Sequence, residues 1–351
     1  MPISVLIVDD SALIRQIFSE MLSSEPDIEV IGTASDPYDA REKIKKLNPD
    51  VLTLDIEMPK MDGLSFLEKI MSLRPMPVIM ASSLTQNGAD ATIRALEIGA
   101  FDTVAKPASS QTRGNLSLLK NELVTKVRAA AGANMGAHVA HKAPPSLLVP
   151  FHPTEPLQRH LIAIGSSTGG VEALRDIFVR LPANVPPIVI TQHMPPTFTT
   201  SFAARLNSLS QVTVREATHH ERIRPGHAYL APGGLHMKIV RVGADLVCKL
   251  EDGANVSGHK PSVDVLFHSV AEAMGPRAVG VILTGMGKDG AIGLKAMRES
   301  GAYTIGQNQA TCIVYGMPQA AQKIGATQIE LPLLDIPARM LKACEKAERA
   351  A

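Results

Sequence analysis

The stretch ISVLIVDDSALIRQIFSEML (residues 3–22) places an apolar strand, two aspartates and an amphipathic helix in direct succession. The same order of a short apolar run and a helical pattern recurs four more times before residue 130. Strands that are apolar throughout and alternate with helices indicate a parallel sheet covered on both faces. We therefore predict a doubly wound, flavodoxin-like domain over residues 1–130, with strands at 3–8, 28–33, 51–54, 77–81 and 101–104.

Polar or charged residues stand where four of these strands end: Asp9, Asp10, Asp55, Ser82 and Lys106. The carboxyl ends of parallel strands meet at one edge of a sheet, so these side chains should converge there. Crowded carboxylates repel each other unless a hard cation such as Mg²⁺ lies among them, and a carboxylate so placed can accept a phosphoryl group. The hydroxyl of Ser82 and the ammonium of Lys106 could bind its oxygens. As alternatives, the aspartates are helix N-caps and Lys106 is a surface charge.

The pattern stops between residues 131 and 158, where GANMGAHVAHKAPPSLLVPFHPTEP is rich in Ala, Gly and Pro, as expected of an exposed linker. It resumes at residue 161 and predicts a second α/β domain, Rossmann-like, over residues 159–348. Turn residues at 232–234 and 242–245 predict an antiparallel ribbon inserted in its open sheet.

The second domain begins with IAIGSSTGG (residues 162–170), an apolar strand followed by a G-x-S-x-G turn centred on Ser167. Such a turn raises a hydroxyl between a strand and a helix, and the N–H groups of that helix favour an oxyanion. The signal alone is weak, because small residues at this place also form phosphate-binding or merely tight turns.

A nucleophilic serine needs a base and an orienting acid. His193 directly follows the apolar strand of PIVITQHMPP, and its strand should lie close to the one before Ser167. Asp289 follows the strand in VGVILTGMGKDGAIG and stands at the start of a helix, where it could also be an N-cap. The order Ser, His, Asp disfavours a usual α/β-hydrolase. Six other histidines of this domain are predicted to be packed or surface residues: His219, His220, His227, His236, His259 and His268.

Composition narrows the class of protein further. The chain has 35 Lys and Arg against 34 Asp and Glu, the first part slightly acidic and the second slightly basic, which is too diffuse for nucleic-acid binding. The chain has three scattered cysteines, and it lacks both a leader-like start and an apolar run of about 18 residues. These features predict a cytoplasmic protein without membrane insertion. A transcriptional regulator and a non-catalytic scaffold stay open as alternatives; the former lacks a helix-turn-helix pattern.

Residues 1–130 resemble a response-regulator receiver domain, on the motifs VDDSALIR, LDIEMPKMDG, MASSL and AKP. The resemblance implies that Asp55 is the phospho-acceptor and that Mg²⁺ is bound by Asp9, Asp10, Asp55 and the carbonyl of Glu57. It also implies phosphate contacts from Ser82 and Lys106 and a cis bond between Lys106 and Pro107. Thr103 stands where receivers often carry an aromatic switch residue, which argues against a rotating-aromatic activation.

Residues 159–348 resemble chemotaxis protein-glutamate methylesterases (CheB), on IGSSTGG, TQHMPP, LTGMGKDGAIGL, YLAPGGLHM and KPSVDVLFHSVA. The resemblance implies Ser167 as nucleophile, in preference to the adjacent Ser166, with His193 as base and Asp289 as its partner. Met286 would supply an oxyanion donor and Thr168 would lie near the reaction.

The activity implied for the whole chain is hydrolysis of glutamate γ-methyl esters on chemoreceptors, with glutamine deamidation and no cofactor for the esterase step. A histidine kinase would phosphorylate the receiver and so relieve its obstruction of the catalytic domain.

Overall fold

The computed structural model describes residues 1–58, 61–83, 85–107, 113–134, 149–153 and 156–345. The chain forms two compact units, residues 1–135 and 136–351. Most of the predicted linker, 131–158, lies outside the described residues, so its limits and those of the two domains stay predictions.

The first unit is a five-stranded sheet in the order β2-β1-β3-β4-β5, with every neighbouring pair parallel. Its strands are β1 (Ile3–Val8), β2 (Ile28–Ala34), β3 (Val51–Asp55), β4 (Val78–Ser82) and β5 (Asp102–Ala105). Its helices are α1 (Ala12–Ser23), α2 (Pro37–Leu47), α3 (Gly63–Leu73), α4 (Gln86–Ile98) and α5 (Arg113–Ala131). The predicted flavodoxin-like sheet is therefore confirmed.

Local sequence explains both the sheet and its helix starts. All five residues of β3 are buried, as a central strand covered on both faces requires. The N-cap of α1 is Ser11, whose hydroxyl accepts a hydrogen bond from the backbone N–H of Ile14. The two aspartates at the end of β1 are therefore not the N-caps of α1, which excludes that alternative for them.

The second unit contains a seven-stranded parallel sheet in the order β15-β14-β13-β6-β7-β10-β8. Its strands are β6 (Leu161–Ser166), β7 (Ile188–Gln192), β8 (Thr213–Glu216), β10 (His227–Leu230), β13 (Ala278–Ile282), β14 (Tyr303–Gln307) and β15 (Ile329–Leu331). Its helices are α6 (Gly170–Phe178), α7 (Phe198–Leu209), α8 (Val263–Met274), α9 (Ala291–Glu299), α10 (Met317–Lys323) and α11 (Ile336–Glu345).

The predicted antiparallel ribbon is present as β11 (His236–Val242) paired with β12 (Asp245–Glu251). It forms a separate three-stranded sheet with the short β9 (Glu221–Arg222), instead of an insertion in the parallel sheet. β12 pairs with β9 through Val247 and Cys248. Sequence patterns did not predict β9, because a strand of two residues is too short to show any periodicity.

Two further observations concern the backbone. Among the described residues the only cis peptide bond joins Lys260 and Pro261, so the expected cis bond between Lys106 and Pro107 was wrong. No helix in the described part of the chain is long and apolar enough to cross a membrane.

Candidate functional sites

The sheet edge of the first unit gathers three carboxylates, as predicted. Asp9 and Asp10 follow β1 and Asp55 ends β3, and these two strands are neighbours in the sheet. One oxygen from each carboxylate lies within 4.8 Å of the others. Asp9 and Asp55 are each 1% exposed, whereas Asp10 is exposed, so the cluster is buried on one side and open on the other.

Lys106 neutralises part of this charge. Its Nζ lies 2.6 Å from Asp55 Oδ1 and 2.9 Å from Asp9 Oδ2. Burial raises the pKa of Asp55 to about 6; the hydrogen bond from Lys106 opposes that rise, and the charge of Asp9 adds to it. Burial acts to lower the pKa of Lys106, but its hydrogen bonds to Asp55 and Asp9 outweigh burial and raise that pKa. Lys106 is therefore not the isolated surface charge of the alternative interpretation.

The donor set fits a hard divalent cation. Asp55 Oδ2 is buried and has no hydrogen-bond partner among the described residues, while Asp55 Oδ1 accepts from the N–H of Glu57 at 3.0 Å. An uncompensated carboxylate oxygen of this kind is costly unless a ligand satisfies it. Oxygen donors from three carboxylates are those that Mg²⁺ prefers.

Ser82 ends β4 and is buried beside this cluster. Its hydroxyl contacts the carbonyls of Ser83 and Gly88 at 3.2 and 3.3 Å, and it accepts a hydrogen bond from Thr92 on α4 at 2.8 Å. The hydroxyl is thus linked to α4 and not to the carboxylates. The carbonyl of Thr103 accepts from Lys126 on α5, so the position that is often aromatic in receivers is here tied to that helix through its backbone.

The second site lies where three neighbouring strands of the second unit end. β6 lies between β13 and β7, and the register pairs Ser166 with Gln192. Ser167 and His193 each follow one member of this pair, so they stand at the ends of two adjacent strands whose spacing is about 4.8 Å. The N–H of His193 donates to the carbonyl of Ser166 at 3.1 Å, and Asp289 follows β13 on the other side.

His193 and Asp289 are in direct contact. Nε2 of His193 lies 2.7 Å from Oδ2 of Asp289, and the two side chains are 7% and 0% exposed. An ionised carboxylate only accepts hydrogen bonds, so Nε2 carries a proton, and in the neutral ring the lone pair is on Nδ1. Nδ1 is buried and has no hydrogen-bond partner within the described ranges. This nitrogen is the one that a neutral ring could use to accept a proton.

Asp289 is held at the N-terminus of α8 and does not cap the helix that follows it. Its oxygens accept from Ser262 Oγ at 2.8 Å and from the N–H groups of Val263 and Asp264 at 2.7 and 3.0 Å. Burial alone would raise the pKa of Asp289, but the hydrogen bonds from His193 and from the helix end lower it to about 2. Burial raises the pKa of the adjacent Asp264 carboxyl, so Asp289 is the acid that keeps its charge.

Ser167 is half-buried between β6 and α6, with its side chain in no hydrogen bond among the described residues. The structure therefore brings Ser167 and His193 together by strand register but does not form a hydrogen bond between them. Catalytic hydrogen bonds are often long before substrate binds. The nitrogens of His193 are also used in the reverse of the usual order, in which Nδ1 meets the carboxylate.

Met286 and Thr168 border the same place. Thr168 is buried, and its carbonyl accepts from Thr284 Oγ1 at 3.1 Å. Met286 follows Gly285, which forms hydrogen bonds to Val314, Gly316 and Met317 through its own N–H and carbonyl. In the described part of the chain the N–H of Met286 has no acceptor, so it is available to a ligand.

Sequence patterns missed two residues that hold this site. Gln192 donates through Nε2 to the carbonyls of Ser167 and His193, at 3.0 and 3.1 Å, and so fixes both backbones. His259, expected to be an ordinary packed or surface histidine, stacks on the ring of His193. The contact of Gln192 with Ser167 and that of His259 with His193 each join segments that are distant along the chain, so local sequence carries no signal for them.

Two family models match the chain. Residues 162–340 match the CheB methylesterase family, and residues 5–113 match the response regulator receiver domain. The catalytic part thus matches an enzyme family and not a DNA-binding module.

Relatives match over nearly the full length. The chain is 55% identical over 342 residues to a protein-glutamate methylesterase/protein-glutamine glutaminase of Bordetella parapertussis, covering 97% of this chain and 96% of that one. It is 54% identical over 341 residues, with the same coverage, to an Escherichia coli protein of the same name. The crystal structure of the Thermotoga maritima CheB methylesterase catalytic domain matches with a TM-score of 0.51 and 38% identity, over 52% of this chain and 97% of that chain. The chain therefore belongs to the CheB methylesterase family and carries a response-regulator receiver domain before the catalytic part.

Proposed function

We propose that this chain is a phosphorylation-regulated protein-glutamate methylesterase that removes γ-methyl esters from chemoreceptors and deamidates receptor glutamines. The observation that carries the proposal is the hydrogen bonding of the two ring nitrogens of His193. One of its nitrogens is held by a charged, buried Asp289, and the other is unpartnered beside the strand that presents Ser167. The names of the full-length relatives supply the substrate class.

In the proposed reaction, Ser167 Oγ attacks the ester carbonyl while its proton passes to Nδ1 of His193. Asp289 stabilises the imidazolium that forms. The tetrahedral intermediate collapses with loss of methanol, which takes the proton from His193, and leaves an acyl-enzyme on Ser167. Water then attacks this ester, His193 again accepts a proton and returns it to Ser167, and the glutamate carboxylate departs. With a glutamine substrate the first leaving group is ammonia.

The oxyanion of each intermediate needs hydrogen-bond donors fixed in advance. The unpaired N–H of Met286 is one candidate, on a backbone that Gly285 holds to the segment before α10. The start of α6, near Thr168, adds the positive end of a helix dipole.

For regulation, we propose that Asp55 accepts a phosphoryl group from a histidine kinase. Asp9, Asp10, Asp55 and the carbonyl of Glu57 would hold Mg²⁺, which supplies charge neutralisation for the transfer. Lys106 and Ser82 would then bind the phosphoryl oxygens. Because the Ser82 hydroxyl is bonded to Thr92 and Gly88, its movement toward Asp55 would break contacts with α4.

The proposed domain limits are 1–130 and 159–348, with a linker at 131–158, and the proposed location is the cytoplasm. Three buried, unpaired cysteines are compatible with a reducing compartment. In the proposed regulation, phosphorylation of the receiver raises the esterase activity of the catalytic part.

Replacing Asp55 with Asn in the full-length chain is expected to leave basal methanol release and to abolish its stimulation by a small-molecule phosphodonor. An amide oxygen cannot take the phosphoryl group, whereas the catalytic residues are untouched. The measurement is methanol release from methylated receptor membranes with and without acetyl phosphate and Mg²⁺. Asp39→Asn, a half-buried carboxylate on α2 that pairs with Lys43, is the matched control and should respond as wild type does.

The two parts of the proposal fail differently in this experiment. Equal stimulation of wild type and Asp55→Asn would contradict regulation through Asp55. No methanol release from any form would contradict the proposed activity itself.

Replacing Gly285 with Ala is expected to lower kcat by about 10- to 100-fold, because small displacements of reacting groups have effects of this size. A Cβ at this position would lie 2.3 Å from Met317 Sδ, 2.8 Å from Ser167 Cβ and 3.1 Å from Ser167 N, so both the Met317 side chain and the segment that carries Ser167 must shift. Gly253→Ala, whose Cβ would meet only a ring carbon of His236 at 3.7 Å, is the control. Unchanged kcat in Gly285→Ala would show that Ser167 does not need its observed position.

A further inference from the structure

The ring of His259 covers the ring of His193. Their centroids are 3.7 Å apart and their planes differ by 9°, and the side chain of His193 is only 7% exposed. The bond to Asp289 restrains one atom of the His193 ring but not the tilt of its plane. A second ring lying parallel and in contact restrains that tilt, and with it the direction of the lone pair on Nδ1.

The turn that carries His259 is built to hold this ring. Val256 and His259 exchange two backbone hydrogen bonds of 3.0 Å across Ser257 and Gly258. Both central residues have positive φ, 53° and 87°, as in a type I′ turn. A serine is strained at positive φ, so surrounding contacts must hold the turn in this conformation.

One of these contacts links the turn to the support of Asp289. Ser257 Oγ donates to Asp264 Oδ2 at 3.0 Å, and Asp264 N donates to Asp289 Oδ1 at 3.0 Å. Asp264 Oδ1 accepts from the N–H of Gly293 on α9 at 2.8 Å, which fixes the carboxyl between two helices. The start of α8 therefore anchors both neighbours of His193, the acid at its edge and the ring on its face.

We propose that His259 is a positioning residue for the esterase reaction, which stacks on His193 and keeps Nδ1 directed at Ser167. The inference rests on the proposed role of His193 as the base. It also predicts where the effect appears: His193 becomes a cation when it takes the serine proton, and a cation is attracted to an aromatic face. The contact is then stronger in the transition state than in the ground state, so it acts on kcat more than on KM.

The test compares His259→Leu with His259→Phe in the full-length chain, stimulated by acetyl phosphate and Mg²⁺. Leu fills space without a flat face, and Phe keeps the face without nitrogens. We expect Leu to lower kcat for methanol release about 10-fold, equivalent to about 1.4 kcal/mol, with KM within about twofold. We expect Phe to keep at least about half of the wild-type kcat. His268→Leu, at an exposed position of α8, controls for loss of a histidine.

A spectroscopic measurement makes the test independent of rate. The ring C–H proton resonances of His193, assigned with His193→Ala, should shift downfield in His259→Leu because the shielding ring is gone, and should stay shielded in His259→Phe. Equal loss of kcat in both variants, an unchanged kcat in His259→Leu, or an effect confined to KM would each overturn the proposal. An active His193→Ala would instead overturn the proposed role of His193, so the two failures are distinguishable.

Discussion

Replacing Ser167 with Ala is expected to lower methanol release from methylated receptors by about four to six orders of magnitude, the cost of removing a serine nucleophile. The side chain is half-buried and has no hydrogen bond among the described residues, so its loss should leave the thermal unfolding temperature unchanged. The measurement is single-turnover methanol release with the phosphodonor present. A folded variant with wild-type rates would exclude Ser167 as the nucleophile.

Ser166→Ala is the matched control at the adjacent position. Ser166 is fully buried, and its hydroxyl donates to Gln192 Oε1 at 2.6 Å. Its loss leaves a buried acceptor unpaired, which costs about 1–3 kcal/mol of stability. This variant should therefore unfold at a lower temperature and keep most of its activity, the opposite of Ser167→Ala. If both variants keep the full wild-type rate, neither serine is the nucleophile and another group of the chain performs the hydrolysis.

In both sites, the sequence predicted the positions of the residues that directly follow strands. Asp9, Asp55, Ser167 and His193 each follow an apolar run, and parallel strands bring such positions to one edge. The contact between β6 and β13 is different, because more than a hundred residues separate the two strands along the chain. No local pattern predicts that pairing, so Asp289 could be proposed only as a carboxylate at another strand end, and the family resemblance then implied the same residue.

Residues that support the reacting groups were beyond sequence patterns for a physical reason. The N–H groups that hold Asp289 come from the start of α8, and their orientation is fixed only when that helix packs against β6. His259 lies at the end of a tight turn outside the longer strands and helices, where no periodicity indicates which way a side chain points. Asp289 was considered as an N-cap of its own helix, whereas it satisfies the N-terminus of another.

Replacing Asp289 with Asn is expected to lower kcat by about 10⁴-fold and also to reduce stability. Asp289 accepts four hydrogen bonds with two oxygens, and an asparagine presents only one oxygen. If the amide nitrogen faces His193, the proton of the imidazole moves to Nδ1, and that nitrogen can no longer accept a proton from Ser167. If it faces Ser262 and Asp264, the end of α8 loses its acceptor. Activity and stability therefore fall by separate routes.

Two measurements separate those routes. The rate is measured well below the unfolding temperature of the variant, beside Asp176→Asn, a buried carboxylate on α6 that the His193 hydrogen bond does not involve. Asp176→Asn should lose stability and keep its rate. If Asp289→Asn loses stability but keeps its rate, Asp289 takes no part in the reaction and serves only to anchor the start of α8.

The pH dependence of stability tests the charge on Asp289 directly. Its pKa falls from 3.8 to about 2 on folding, so the ionised form stabilises the fold above about pH 4, and that contribution is lost as pH falls toward 2. The difference in unfolding free energy between wild type and Asp289→Asn should therefore be constant from pH 7 to about pH 4 and should narrow below it. A difference that widens as pH falls from 7 to about 4 and stays level below it would mean that folding raises this pKa and that the carboxyl is protonated near neutral pH. It could not then stabilise an imidazolium, and His193 would have to work without a charged partner.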